Sequence, residues 1–304
     1  STTDIVPALL DSVQKSFKSR VERDGRILRV NGRIRDGTAT LADAHVYSQR
    51  VGTALSNALR EHITADTLPN GELYYNIADR VINPTLLENY ELVNETAEDI
   101  QRIIDAKDGI GLGSVKAPFP QERVDGLIDK MTDSAIDIAN RLVWLGEPIV
   151  NNSEAFFDDY VKENAAFRNG VGLKTTITRI TAPGCCEWCS NMAGSYEYGE
   201  EPSDIYRRHE FCRCDVLFKS DKGVQDVWTK ETWSTADELT KRRETRPPDV
   251  PTARERDAII QDFVNRTGYD RRTAQGSTRK KTPQEIEAEI AKILDRQRAI
   301  RIRG

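Results

Sequence analysis

Apolar residues recur about every four positions between Asp4 and Asp24, at Ile5, Leu9, Val13, Phe17 and Val21. That spacing predicts an amphipathic helix. The same periodicity returns from Leu41 to Ile63. Between them, "GRILRVNGRIRDGTAT" holds two alternating or β-branched pieces around Gly32 and reads as a hairpin or a loop. "TLPNGELYY" is a turn, punctuated by Pro69, Asn70 and Gly71. A further helix is expected to start near Asn83 and Pro84, with Asn as its cap and Pro in its first turn. "DGIGLGSVKAPFP" (108–120) then breaks the pattern. Its glycines lack the spacing of a dinucleotide fingerprint, because Ser114 stands where the third Gly belongs, so a mobile loop is expected. "PQERVDGLIDKMTDSAIDIANRLVWL" predicts one helix to Leu145, and "NSEAFFDDYVKENAAF" another, capped by Ser153. Asp158 and Asp159 fall on what reads as a solvated face of that helix. "LKTTITRIT" is β-rich and predicts a strand.

After Phe218 the pattern changes. Pro247, Pro248 and Pro251 sit among charges and read as a linker. The last 34 residues hold ten Lys or Arg against four acids. Within them, Thr282, Pro283 and Glu285 form a capping box. Ile286, Ile290, Ile293 and Leu294 give the following helix one apolar face, which needs a partner, either the protein's own body or another subunit.

Over all 304 residues the formal net charge is −5, and this sets no expectation of nucleic-acid or membrane binding for the chain as a whole. No apolar run approaches the length of a membrane span. The N-terminus lacks the basic segment and apolar core of a secretory signal, so folding in a cytosol is expected. Thiols stay reduced there, which favours metal over disulfide.

That matters because all five cysteines lie between Cys185 and Cys214. Cys186, Cys189, His209, Cys212 and Cys214 form a C-x2-C-x19-H-x2-C-x-C pattern. A C-x2-C turn places two sulfurs on one side of a knuckle, and a second group of ligands returns after a short excursion. Four such ligands can close a tetrahedral zinc site. In a strand, Cys212 and Cys214 would face the same side and reach one ion. The six Cys and His side chains exceed four places. Cys185 is the expected bystander, and His209 either ligates or supports a ligand through a hydrogen bond. Small buried residues at accidental spacing, disulfides and a catalytic Cys–His pair are the competing readings. Trp188, Tyr196, Tyr198 and Tyr206 surround the cysteines and are expected to cover the knuckle rather than stack on bases. His45 and His62, both on helical segments, read as surface or internally satisfied histidines.

"CCEWCSNMAGSYEYGEEPSDIYRRHEFCRC" resembles the terminal signature of phage Mu F-like minor head proteins, the phage head morphogenesis or minor capsid family. The matching positions are Cys186, Cys189, Gly194, His209, Cys212, Arg213 and Cys214. Family members often carry Pro after that His, where this chain has Glu210, and the doubled Cys185-Cys186 is not general among them. The resemblance spans roughly residues 83–218 and is sharp only in its last third. It implies a structural, non-enzymatic component of the phage head at the portal vertex. Such a protein acts in head assembly and in DNA packaging or delivery. The implied partners are the portal protein and the major capsid protein; outside the resemblance, the basic C-terminal arm reads by its charge as a helix that docks on protein or meets DNA phosphates, and no membrane is expected. The implied location is the virion, with the host cytoplasm during assembly. The rival reading is a zinc-containing nucleic-acid-binding or nuclease-like protein.

Together these readings predict an α+β, mainly α-helical protein in three parts. They are a helical N-terminal region (1–82), a head-morphogenesis domain with a metal-stapled β-containing module (83–219), and a charged linker with an extended helical arm (220–304).

Overall fold

A computed structural model describes residues 4–221. The proline-rich linker, the Thr282 capping box and the basic arm lie outside the described residues. The fold is α+β and mainly helical: eight helices and one three-stranded antiparallel sheet among the described residues.

Helices α1 (Val6–Arg23) and α3 (Leu41–His62) follow the apolar spacing that predicted them, and bury Val13, Phe17, Val51, Leu55 and Leu59. The segment between them is not a hairpin but a helix, α2 (Gly25–Arg35). Asp24 caps it by accepting the Arg26 and Ile27 amides, and Ile27 and Val30 are buried. Spacing of three and four among Ile27, Val30 and Ile34 outweighs the β-branching and the two glycines that suggested strands.

α4 (Tyr75–Asp108) starts eight residues before the expected site and carries Pro84 inside it. An internal proline costs about 3 kcal/mol. Here the buried run Ile77, Ala78, Val81, Ile82, Leu86 and Tyr90 keeps one apolar face on both sides of it. The division expected at residue 82 therefore falls within a helix, and one apolar core draws on residues from Val6 to Phe218. The helix expected up to Leu145 is two, α5 (Gln121–Met131) and α6 (Ile138–Trp144). Asp137 caps α6 through the Asn140 amide, and buried Arg141 donates to the carbonyls of Met131 and Ile136 at the break.

α7 (Gly146–Gly170) encloses Ser153, which is no cap. It packs against α3 along small residues. Ser48, Gly52 and Ser56 on α3 meet Gly146 and Ser153 on α7, and the Ser153 hydroxyl lies 2.7 Å from the Ser48 carbonyl. The 109–120 segment is tied to α7. Asn164 exchanges hydrogen bonds of 2.9 and 2.8 Å with Val115, and Tyr160 donates to Ser114 at 2.7 Å.

Strand β1 (Lys174–Ile180) is central, between β2 (Gly194–Glu197) and β3 (Asp215–Asp221). Ile177 pairs with Tyr196 on one side and Phe218 on the other. Thr175, Ile177 and Arg179 face inward. The short helix α8 (Glu187–Met192) lies between β1 and β2.

A Cβ at Gly52 would sit 2.7 Å from Ser153 Cβ and 3.0 Å from Val150 Cα. Gly52→Ala must push α3 from α7, and a cost of about 1–3 kcal/mol is expected in urea denaturation. An unchanged midpoint would mean that the seam is looser than described.

Candidate metal centre

The cysteine pattern folds into one place. Cys186 is the N-cap of α8, and its sulfur accepts the Cys189 amide at 3.4 Å. One helical turn thus turns both C-x2-C sulfurs the same way. Gly194, at φ +146°, then turns the chain into β2, where an added Cβ would meet the Tyr196 hydroxyl at 3.1 Å. The chain returns at His209. A turn from the Cys212 amide to the His209 carbonyl, with Phe211 in the left-handed region at φ 57°, brings in the second set of donors. Cys212 and Cys214 precede β3 and do not lie in a strand, yet both thiols are buried against Cys189.

Two overlapping triples result, Cys186–Cys189–His209 and Cys189–Cys212–Cys214. Within each, the donor atoms lie within 4.8 Å of one another, and Cys189 belongs to both. His209 Nε2 is 3.1 Å from the sulfurs of Cys186 and Cys189. Its Nδ1 lies 2.7 Å from the Glu210 carbonyl, to which it donates, so Nε2 presents a lone pair to the sulfurs. Cys189 and Cys212 sulfurs are 3.8 Å apart, about the edge of a tetrahedron with metal–sulfur bonds near 2.3 Å. These residues can hold a metal ion. Cys185 stands apart, with its sulfur 3.3 Å from the Ser190 hydroxyl.

The surroundings favour one thiolate among the three buried sulfurs, at Cys212. Buried Arg179 points its guanidinium at the sulfurs of Cys189 (3.5 Å) and Cys212 (3.6 Å) and is held by the carbonyls of Ile205 and Arg207. Within the buried thiols, hydrogen bonds from Cys189 and Cys214 pull the Cys212 pKa down, while the hydrogen bond with Cys212 pushes Cys189 up, and Cys214, against the pull of Cys189, is raised by Cys212 and burial. Trp188 covers the group: its ring meets His209 edge-on at 6.0 Å, and Arg179 lies 5.4 Å over its face. Tyr196 is buried and donates to the Met192 carbonyl, a packing role.

α7 fixes the second donor set in place. Glu147, Asn151, Glu154 and Asp158 recur along one face, and all four meet the 208–213 segment. Arg208 binds Asp158 through two nitrogens, one at 2.7 Å, and donates to the Cys214 carbonyl at 3.1 Å. Arg213, between the two cysteines, turns away from them to Glu147 at 2.7 Å. Glu147 also accepts the Phe211 amide at 3.1 Å, and Asn151 donates to the His209 carbonyl at 3.3 Å. Burial pushes the Glu147 pKa up against the pull of Arg213. Asp158 is buried, so the solvated face expected there is an ion-pair face; Asp159 pairs with Arg123 at the surface.

His45 is also buried, with Nδ1 on Asp215 and Nε2 3.4 Å from Glu154. Burial and nearby Arg208 oppose its protonation. The hydrogen bond with Asp215 and the nearby charge of Glu154 prevail, and its pKa is raised. His62 is half-buried beside Glu61.

Arg179, Arg208 and His45 escape sequence reading, because only the tertiary structure surrounds them. The acidic stripe on α7 has the helical spacing of a solvated face, and only the tertiary structure shows it to be an ion-pair face. Arg179 shares the inward alternation of Thr175 and Ile177.

Comparison of the chain with protein-family models, with characterised proteins and with solved structures returned no match.

Two outcomes are expected. Cys189→Ser should weaken metal binding more than about 100-fold, beyond the usual loss of a supporting residue, whereas Cys185→Ser should leave it unchanged. Elemental analysis and chelator competition read both. For His45, a raised folded pKa gives stability that is present below its ordinary 6.5 and lost as pH rises through the raised value. The stability gap between the wild type and His45→Gln should therefore shrink from pH 6 to pH 9 in denaturant titrations.

Proposed function

We propose that this chain is a structural, non-enzymatic minor head protein of a tailed phage, acting at the portal vertex in head assembly. The observation that carries this reading is the use made of the Cys-Arg-Cys ending. Its two thiols face the metal cluster, and the arginine between them locks the module to α7. Each element of the signature shared with Mu F-like head proteins thus has a fold-holding task. In this reading the ion is zinc, held by four of Cys186, Cys189, His209, Cys212 and Cys214. Thiolate and imidazole donors in tetrahedral spacing suit it.

The module adds Ile177, Tyr196, Ile205, Val216 and Phe218 to the main core, but the knuckle that carries the donors has little apolar core of its own. Its separate cluster contains two large apolar side chains, Trp188 and Met192. Each contributes on the order of 1.5–3 kcal/mol, whereas a structural zinc contributes about 10 kcal/mol or more. In the knuckle the ion is the larger contribution, so the knuckle's shape follows metal occupancy. The helical body and the C-terminal arm then offer surfaces to the portal protein and the major capsid protein. The arm's positive charge suits DNA during packaging or delivery. The working location is the virion, reached from the host cytoplasm.

The test is co-sedimentation of the full chain with portal rings of its own phage at about 0.5 M salt, where weak surface charge attraction is screened. A complex that survives salt and is lost in Cys189→Ser is expected. No complex, together with metal-dependent DNA cleavage abolished by His209→Ala, would establish the nuclease-like rival instead.

A further inference from the structure

We infer that the first two helices carry a binding surface for the phosphate backbone of duplex DNA, separate from the metal centre and from the C-terminal arm. Between Lys15 and Arg35 the sequence holds eight Lys or Arg against two acids, in a chain whose formal net charge is −5. The structure turns this run outward. Arg23, Arg26, Arg29, Arg33 and Arg35 are all exposed. Arg33 pairs with Asp43, but among the described residues no carboxylate lies within ion-pairing distance of Arg23, Arg26, Arg29 or Arg35. Arg26, Arg29 and Arg33 stand at i, i+3 and i+7 on α2 and share one face, a row about 10 Å long at 1.5 Å rise per residue.

At the junction of α1 and α2, marked by Arg23 and Asp24, α1 and α3 line an open groove of about 800 Å³. Lys15, Arg20, Arg23 and Arg50 line it, with hydroxyl and amide groups such as Ser12 and Asn57. Arg20, Arg50 and Lys15 are engaged by Glu61, Asp24 and Asp11, which brace the walls, while among the described residues Arg23 has no acidic partner. Cations with hydroxyl and amide donors at hand are the groups that contact phosphate oxygens.

The same residues argue against other anionic partners. Single strands are gripped by stacking on aromatic side chains. α2 has no aromatic residue, and the groove's only ring is His62. A membrane surface needs an apolar face to insert. Ile27 and Val30 are spent in the core, and Leu28 is the one strongly exposed apolar side chain of α2. A protein partner would need apolar anchors at the centre of the patch, and the row offers only guanidinium groups. Binding through phosphates alone is independent of sequence and steeply salt-dependent. The inference does not rest on the phage reading.

The experiment is fluorescence anisotropy of a 30-base-pair duplex of arbitrary sequence with the full, metal-loaded chain, from about 50 to 200 mM salt. Two variants, Arg26→Gln/Arg29→Gln and Lys15→Gln/Arg23→Gln, keep the arm intact, and matched thermal midpoints check their folding. Each pair is expected to weaken binding about 10-fold at 0.1 M salt and to reduce the log–log salt slope by about 2. The same affinity for two unrelated duplex sequences is expected. Wild-type affinity and slope in both variants would place DNA binding on the arm and overturn the inference. So would the absence of duplex binding, or binding only to vesicles of anionic lipid.

Discussion

Arg208 and Asp158 form a buried ion pair that joins the cysteine-bearing segment to the helical body. Neither charge would be tolerated there alone, since an unpaired buried charge costs about 3–5 kcal/mol. The pair therefore forces one docking of residues 208–215 against α7. The placement of the second donor set, His209, Cys212 and Cys214, follows from that docking. His209 is the next residue, Cys212 follows after a left-handed turn at Phe211, and Cys214 passes its carbonyl to Arg208. Arg213 and Glu147 repeat the same device five residues on. The seam is electrostatic on the α7 side and thiol-lined on the other, and one short stretch of chain faces both.

α7 has two further tasks. Its first half touches α3 through glycine and serine, and the close approach brings His45 within reach of Glu154 and Asp215. Its last turns hold the 109–120 segment through Asn164 and α4 through the buried Arg168–Asp105 pair. One helix thus carries apolar packing, a loop clamp and the ion-pair face. This explains why its buried surface includes so many polar residues, among them Asn152, Glu154, Asp158, Asn164 and Arg168.

Much of the helical layout is legible in the apolar spacing, because Val13, Phe17, Leu55 and Leu59 are buried whatever the details of packing. Local signals mislead where tertiary packing overrides them. Pro84 marks a helix start by propensity, but apolar residues on both sides hold the helix through it. The glycines and β-branched residues around Gly32 suggest a hairpin, but the cap at Asp24 and two buried residues make a helix. The cysteine pattern is legible because thiols are rare and clustered. The residues that support it are not, because Arg179, Arg208 and Asp158 are ordinary surface residue types. Their burial depends on partners up to 50 positions away.

The central claim is that the clustered thiols and His209 close around one metal ion and so hold the module in shape. X-ray absorption at the metal edge of the purified full chain tests it most directly. The account predicts zinc at about one equivalent, with mainly sulfur neighbours near 2.3 Å and a single imidazole nitrogen at about 2.0–2.1 Å. A metal-free chain with its thiols paired in disulfides, or an ion surrounded only by oxygen, would contradict it.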